Sequence, residues 1–512
     1  MNLLAALLGI PAGAAVLVLL PFPIAVVGRL NVLCMLATLL TAGAMVPLVL
    51  AQGTLEGLHH FLRVDALSCL MVLLVSLTSF LASFYSVGYW ESQPREERGS
   101  DQKIRGYYAL VNLFVMSMLV VCTTDNLGVL WVALEATTLA SAFLVGFYNK
   151  EASLQAAWRY LIICSLGISF ALIGVVLAFA SAVSAAGFHE YALNWSYLTS
   201  IADQLDPTAL KLAFGFAVVG FGTKAGLVPM HGWLPDAHSE APTPVSALLS
   251  GVLLKCALYA LIRFAILVNH GIGDNFSGSI LMPFGFLSVG IAALYIFSQT
   301  QIKRLLGYSS IEHVGVITIG LSFGSPLAVF GALFHMWNHA MTKSLLFFTA
   351  GNLYLCHHTL SMQKITGSLR LTTGTGIALL VGGLALSGTP PFSIFISEFS
   401  IVSAGIQLGY WVAPLLLIVL LVVIFAGLFS QLSRMAFGLP SEDAQDHEPS
   451  ASPPISSLTG WALVIPMGFI VLMGWFIPGP LFELFSEGTR IITGDVPVET
   501  SIRSWWGNIW QE

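Results

Sequence analysis

Charge is scarce in this chain. Of 512 residues only 9% are Asp, Glu, Lys or Arg and 56% are hydrophobic, a balance that excludes a soluble globular protein of this size. Cysteine is sparse too. The six, Cys34, Cys69, Cys122, Cys164, Cys256 and Cys356, stand singly in or beside apolar segments with no CxxC pair, which argues against a disulfide framework, a zinc ribbon or an iron–sulfur cluster. No basic stripe marks a nucleic-acid surface. A basic stretch is also missing ahead of the first apolar run, MNLLAALLGIPAGAAVLVLLPFPIAVVGR, so that run reads as a spanning helix and not a cleaved signal peptide. Domain-separating linkers are absent: ESQPREERGSDQKIRG (91–106) reads as a solvated loop and LPSEDAQDHEPSASPP (439–454) as a flexible one. The net charge of −6 says little about partners, since most charges lie in short connections.

What fills the chain instead is a series of apolar runs of about 20 residues, each long enough to cross about 30 Å of hydrocarbon as a helix. The expected fold is an all-α polytopic membrane protein with fourteen spans near 2–22, 31–51, 65–88, 107–123, 127–148, 160–185, 208–230, 242–268, 279–298, 304–322, 326–354, 373–406, 411–436 and 459–478. The odd-numbered connections carry twelve basic residues, Arg29, Arg95, Arg98, Lys103, Arg105, Lys150, Arg159, Lys303, Arg304, Lys364, Arg370 and Arg434. Five, Arg63, Lys211, Arg263, Arg490 and Arg503, fall in the even-numbered connections and the tail. The positive-inside rule then puts both termini outside the cytoplasm. Trp505, Trp506 and Trp510 in the tail suit a membrane interface or a subunit contact.

Against this apolar background five charges sit inside predicted spans: Glu135, Lys224, Lys255, Lys343 and Glu398. Each costs at least about 2.5 to 3.5 kcal/mol at the bilayer centre, so such residues face a partner or a wet cavity and mark an ion or proton path. Two of them flank broken helices. In FGTKAGLVPMHGWLP, Lys224 precedes Pro229; in LALSGTPPFSIFISEF, Glu398 follows Gly388, Pro390 and Pro391. Proline leaves carbonyls without donors, and discontinuous helices of this kind line ion sites in transporters. The mirrored order of charge and break, in the seventh and twelfth spans, predicts inverted repeats of five helices each. The chain then divides into residues 1–106, 107–270, 271–438 and 439–512.

Between the breaks, FHMWNHAMTKSLLFF sets His335, His339 and Lys343 at i, i+4 and i+8, one polar stripe on a helix. Lys255 is placed to bridge the first repeat to that stripe. Each feature has a plainer reading: Glu135 and Lys224 as a structural ion pair, Lys255 as a structural cation, the histidines as interhelical hydrogen-bonding groups. No metal is expected at His335 and His339, because no carboxylate or cysteine stands at a matching position nearby. The cluster His231, Asp236, His238 and Glu240 falls in a connection, with functional and structural readings equally open. Glu312 and His313, in LLGYSSIEHVGVITIG, are possible additions to the path.

At these residues the chain resembles the antiporter-like subunits of respiratory complex I, of membrane-bound hydrogenases and of multisubunit Na+/H+ antiporters. The motifs that carry the resemblance are WVALE with Glu135, TKAGLVPMHGWLPDAHSEAPTPVSALLSGVLLK with Lys224 and Lys255, IKRLLGYSSIEHVG, FHMWNHAMTKSLLF and GTPPFSIFISEF, within roughly residues 60 to 435. Within that family the wording is most like the F-type subunit of hydrogenase-4. The resemblance implies a fourteen-helix core, a central polar axis that protons cross, and a bacterial or archaeal cytoplasmic membrane. It makes Glu135 the fifth-helix glutamate, Lys224 its partner on the broken seventh helix and Lys255 the connecting eighth-helix lysine. His335, His339 and Lys343 match the polar eleventh helix. Glu398 takes a terminal position that is lysine in the outermost complex I type and glutamate in the middle type. No long C-terminal lateral helix follows.

No cofactor or redox centre is expected in this chain, so the energy must come from other membrane subunits and a peripheral partner. Nickel and iron–sulfur subunits would mark a hydrogenase or dehydrogenase. A zinc protein resembling a carbonic anhydrase would mark a two-component inorganic carbon uptake system, and a multisubunit Na+/H+ antiporter is the further alternative. A non-conducting spacer is the blandest reading.

Overall fold

Several helices begin where a short polar residue precedes an apolar run, and the computed structural model shows those caps directly. It describes residues 3–58, 61–273, 275–438 and 456–494. The first helices are α1 (Leu3–Leu17), α2 (Ile24–Gln52), α3 (Ala66–Ser92), α4 (Asp101–Thr123), α5 (Leu127–Val145) and α6 (Glu151–Ala186). Asp65 caps α3 by accepting from Ser68 N, Ser100 caps α4 through Lys103 N, and Asn126 caps α5 through Gly128 N and Val129 N. Next come α7 (Pro207–Ala225), α8 (Leu234–Glu240) and α9 (Thr243–Ile272), the last with a π turn over Leu249–Leu253. The second half holds α10 (Phe276–Ile296), α11 (Ile302–Phe323), α12 (Pro326–His357), α13 (Thr373–Leu386), α14 (Ser393–Gln407), α15 (Val412–Phe437), α16 (Ser457–Leu472) and α17 (Gly479–Thr493). One small antiparallel hairpin, β1 (Leu55–Gly57) with β2 (Leu62–Val64), departs from the all-helical expectation.

Eight helices among the described residues are long and apolar enough to cross a membrane: α2, α3, α4, α5, α6, α9, α10 and α15. Shorter apolar helices, α1, α13, α14 and α16, accompany them. The protein is a polytopic membrane protein. Its outer helices turn Leu, Val and Phe outward, as at Leu166 on α6 and Val422 on α15, whereas α9 and most of α12 are buried on every side. A helix buried all round belongs at the centre of the bundle. Helices approach closely where glycine removes a side chain: a Cβ at Gly220 of α7 would meet Ala171 of α6, and one at Gly285 of α10 would meet Gly315 and Ile319 of α11.

Two expectations change. Asp236, His238 and Glu240 were expected in a connection, but they lie on α8, which Pro235 can begin because its first turn needs no donor there. The tail beyond residue 478 contains α17, which lays Leu484 and Phe485 against α3 and α12. Trp505, Trp506, Trp510 and the 439–454 loop lie outside the described residues.

Candidate functional site

Both helix breaks are built by glycine in the left-handed conformation followed by proline. Gly226 (φ +81) ends α7 ahead of Pro229, and Gly388 (φ +64) follows α13 ahead of Pro390 and Pro391. At the first break Trp233 Nε1 donates to Thr223 O at 2.9 Å, a carbonyl that also takes the backbone N–H of Gly226. Lys224 therefore sits at a helix end whose carbonyls carry partial negative charge, a position that favours a cation.

Lys224 is fully buried. Its Nζ donates to Thr138 Oγ1 at 2.5 Å and to Tyr160 OH at 2.9 Å, and lies 5.1 Å from the Tyr160 ring centroid. Glu135, only half-buried on α5, accepts from Ser165 Oγ at 2.6 Å and from Thr138 Oγ1 at 3.2 Å. The direct Glu135–Lys224 pair expected from sequence is thus replaced by a relay. Thr138 accepts from the ammonium and shares its one proton between the carboxylate, at 3.2 Å, and Leu134 O, at 3.4 Å, so one hydroxyl lies between the two charges.

The second group of charges surrounds α12. Lys255 donates to Ser250 O, inside the π turn, at 2.6 Å and meets His339 Nδ1 at 2.5 Å. With the lysine as donor, His339 carries its proton on Nε2, which is buried and without a hydrogen-bond partner among the described residues. Lys343 donates to Leu306 O at 2.6 Å and to Ser309 Oγ, both on α11. His335, His339 and Lys343 form the expected stripe on α12, and each turns to a different neighbour.

Glu312 and His313, on α11, join this group. Ser397 Oγ donates to Ile394 O at 2.7 Å, so it accepts from His335 Nδ1 at 2.9 Å. Neutral His335 then keeps its lone pair on Nε2 and accepts from His313 Nδ1 at 2.9 Å. The lone pair of His313 falls on Nε2, 3.7 Å from Glu312 Oε2. Neither of those atoms has a hydrogen-bond partner among the described residues. Glu398 lies on α14 with its carboxylate against Gly388, where a Cβ would collide with Oε2.

His238, on α8, makes no hydrogen bond to either group among the described residues. It is fully buried, packs 6.4 Å from the Trp233 ring and 5.8 Å from the Phe347 ring, and neither ring nitrogen has a protein partner among the described residues. Lys255, Lys303 and Lys343 are near enough for their charges to act on it. At the C-terminal end of α8 opens a cavity of about 170 Å3 lined by Glu97, Lys150, Glu240, Lys303 and Tyr354. Lys303 closes its inner side through Ser239 O and Ala241 O. His231, in the turn before α8, is not joined to the buried groups by any hydrogen bond among the described residues. Asp236 instead holds Arg159 of α6 and Arg304 of α11 at the end where the basic residues cluster.

Several of these participants were missed from sequence. Thr138 stands at i+3 from Glu135, a spacing that places both on one helix face, so it was findable. Ser397 adjoins Glu398 in sequence but acts on His335, and the π turn at Ser250 has no local signal.

The transmembrane family model described as NADH:quinone oxidoreductase/Mrp antiporter matches residues 124–425, and one described as the N-terminus of complex I chain 5 matches residues 57–98. A hydrogenase-4 component F homolog from Methylacidiphilum infernorum is 36% identical over 431 residues, 83% of this chain and 88% of that protein. A chain of the archaeal membrane-bound sulfane sulfur reductase superposes with a TM-score of 0.84 at 23% identity, covering 99% of this chain and 100% of that one. A chain of the Mrp complex from Dietzia gives 0.81 at 20% identity, covering 96% and 98%. These two likenesses establish the fold. With its model matching most of the chain, and with the buried acid, lysine and histidine residues inside the matched region, the protein belongs to the NADH:quinone oxidoreductase/Mrp antiporter family, as an antiporter-like subunit.

Proposed function

We propose that this subunit carries protons along the buried series Glu135, Thr138, Lys224, His238, Lys255, His339, Lys343, Glu312, His313, His335 and Glu398, within a larger membrane complex of the hydrogenase or NADH dehydrogenase type. One observation carries the reading: titratable side chains, most of them fully buried, run through the middle of an apolar bundle with ring nitrogens and carboxylate oxygens left unpaired. Unpaired buried polar atoms are expensive, and waters between them would satisfy the atoms and conduct protons at once. A charge change in a neighbouring subunit beside half-buried Glu135 would alter how Thr138 holds Lys224 and send a proton inward. The energy comes from a partner, since no redox ligand set is legible in this chain.

The finer architecture belongs to the same proposal. Fourteen spans with inverted repeats would relate the two breaks, and support comes from the shared glycine-then-proline construction with Lys224 before one and Glu398 after the other. Both termini would lie outside the cytoplasm of a bacterial or archaeal cell. The cavity beside Glu240 and Lys303 would then face the cytoplasm. The test is Lys224→Ala and Glu135→Gln in the assembled complex reconstituted in vesicles. Proton uptake should be lost while the subunits still copurify; uptake at the unmodified rate overturns the reading.

A further inference from the structure

The sequence offers no metal site at the α12 histidines, since no carboxylate stands at ligand spacing from them. Folding brings one. His313 of α11, His335 of α12 and Glu398 of α14 each present one ligand atom, and the three atoms lie within 4.8 Å of one another, all buried. We propose that these residues form a binding site for a borderline divalent transition-metal ion, of which Zn2+ and Co2+ are representatives, and that the ion locks the end of the buried axis.

The ligand chemistry selects the class. Two imidazoles and one carboxylate suit Zn2+ or Co2+, with a fourth position open to water, whereas Mg2+ and Ca2+ require oxygen-rich shells. Metal–ligand bonds of about 2.0 to 2.2 Å in tetrahedral array need ligand atoms about 3.3 Å apart, so the present spacing closes with side-chain shifts of an ångström or so. The orienting hydrogen bonds are already in place. Ser397 Oγ accepts from His335 Nδ1, which leaves Nε2 as the lone-pair nitrogen, the arrangement that ligating histidines adopt.

Two independent observations point to an occupant. Glu398 is 7% exposed, yet no hydrogen bond to its carboxylate is found among the described residues. Glu312, 1% exposed, aims Oε2 to within 3.7 Å of His313 Nε2 with no partner of its own among them. The proton balance is simple. When an ion enters between the rings, the proton on His313 Nδ1 leaves that atom and Nε2 takes one up beside Glu312, so the ring stays neutral and Nδ1 becomes a ligand. The carboxylates of Glu398 and Glu312 together offset the charge of a dication, which matters where the surroundings screen little.

The ion's effect on transport rests on the proton-path reading; its binding does not. The experiment is therefore a Co2+ titration of the full chain in phospholipid nanodiscs, followed by visible d–d absorption. Bands of tetrahedral intensity should grow to one equivalent and be displaced by Zn2+. His335→Ala and Glu398→Gln should remove them, Ser397→Ala should weaken binding about tenfold through the lost orienting bond, and His189→Ala, on the exposed surface, should change nothing. Because an α12 variant risks misfolding, each is accepted only if monodisperse, and Ser397→Ala tests the site with all three ligands kept. Absent bands in the unmodified chain, or bands that survive both His335→Ala and Glu398→Gln, overturn the proposal. Loss of proton uptake on adding Zn2+, reversed by a chelator, would extend it to transport.

Discussion

Thr138→Val is the most pointed test of the relay between Glu135 and Lys224. Valine has nearly the shape of threonine, so the packing of α5 against its neighbours is kept and only the hydroxyl is removed. That hydroxyl sits 2.5 Å from Lys224 Nζ and 3.2 Å from Glu135 Oε2. A hydrogen bond to a charged group contributes about 1.5 to 3 kcal/mol, which at 1.4 kcal/mol per tenfold is a factor of roughly ten to one hundred and fifty in how strongly one charge senses the other. Lys224 keeps Tyr160 OH at 2.9 Å, so the lysine stays in place and the deficit falls on communication. The assay is proton uptake into vesicles holding the assembled complex, divided by the rate of whatever reaction drives it. Uptake should fall at least about tenfold in Thr138→Val and stay near normal in Thr138→Ser. Adding Glu135→Gln to Thr138→Val should cost little more, because the two groups act as one unit. Normal uptake in Thr138→Val, or full additivity with Glu135→Gln, refutes the relay.

Gly388→Ala forces a Cβ onto Glu398 Oε2 at a backbone with φ +64; proton uptake should drop at least about tenfold, with a stability loss of about 1 to 2 kcal/mol measured by thermal melting in detergent. Asp65→Asn should be more damaging to folding than to transport. Arg263 donates to Asp65 at 2.6 Å with both side chains 5% exposed, and removing one partner of such a pair costs about 3 to 5 kcal/mol. The double variant Asp65→Asn with Arg263→Leu keeps the α3 cap, since the amide oxygen can still accept from Ser68 N, and should recover most of the lost melting temperature; failure to recover would assign the site a role beyond pairing and capping.

What was legible in the sequence was whatever short-range chemistry dictates. Helix α5 could be read from Asn126 and the apolar run after it, and the breaks could be read from glycine and proline. The charges were legible because the membrane makes them costly. The link from Lys255 to the α12 stripe was legible, though not that His339, 84 residues away, would take it; what escaped were meetings such as His335 with Ser397, 62 residues apart. Periodicity places a residue on a helix face but does not say which helix it meets. The Glu135–Lys224 pair was anticipated as a contact because opposite charges attract, but a hydroxyl between them, Thr138 on the glutamate's own helix, takes the ammonium instead. Helix α8 was not separated from the connection between spans because seven residues are too few to show a helical period, although Pro235 suits a first helical turn.

The hydrogen-bond polarity around His335 bears on where a proton can leave. Ser397 commits its own proton to Ile394 O at 2.7 Å, so it can accept from His335 but has nothing to hand onward unless that bond opens. A proton reaching His313 must arrive at Nε2, the only lone pair left, from the side of Glu312. Its Nδ1 proton then passes to His335 Nε2 across 2.9 Å. On the proposed path His335 would then be doubly protonated with Ser397 as an end-stop on Nδ1, leaving Glu398, whose carboxylate shares the ligand cluster with both rings, as the acceptor. The serine would thus set the direction of transfer on that path without carrying a proton. Ser397→Ala should therefore leave proton uptake possible but weaken its dependence on Glu398, so that Glu398→Gln costs less in that background than alone. An undiminished effect of Glu398→Gln in the Ser397→Ala protein would show that the hydroxyl does not direct the step.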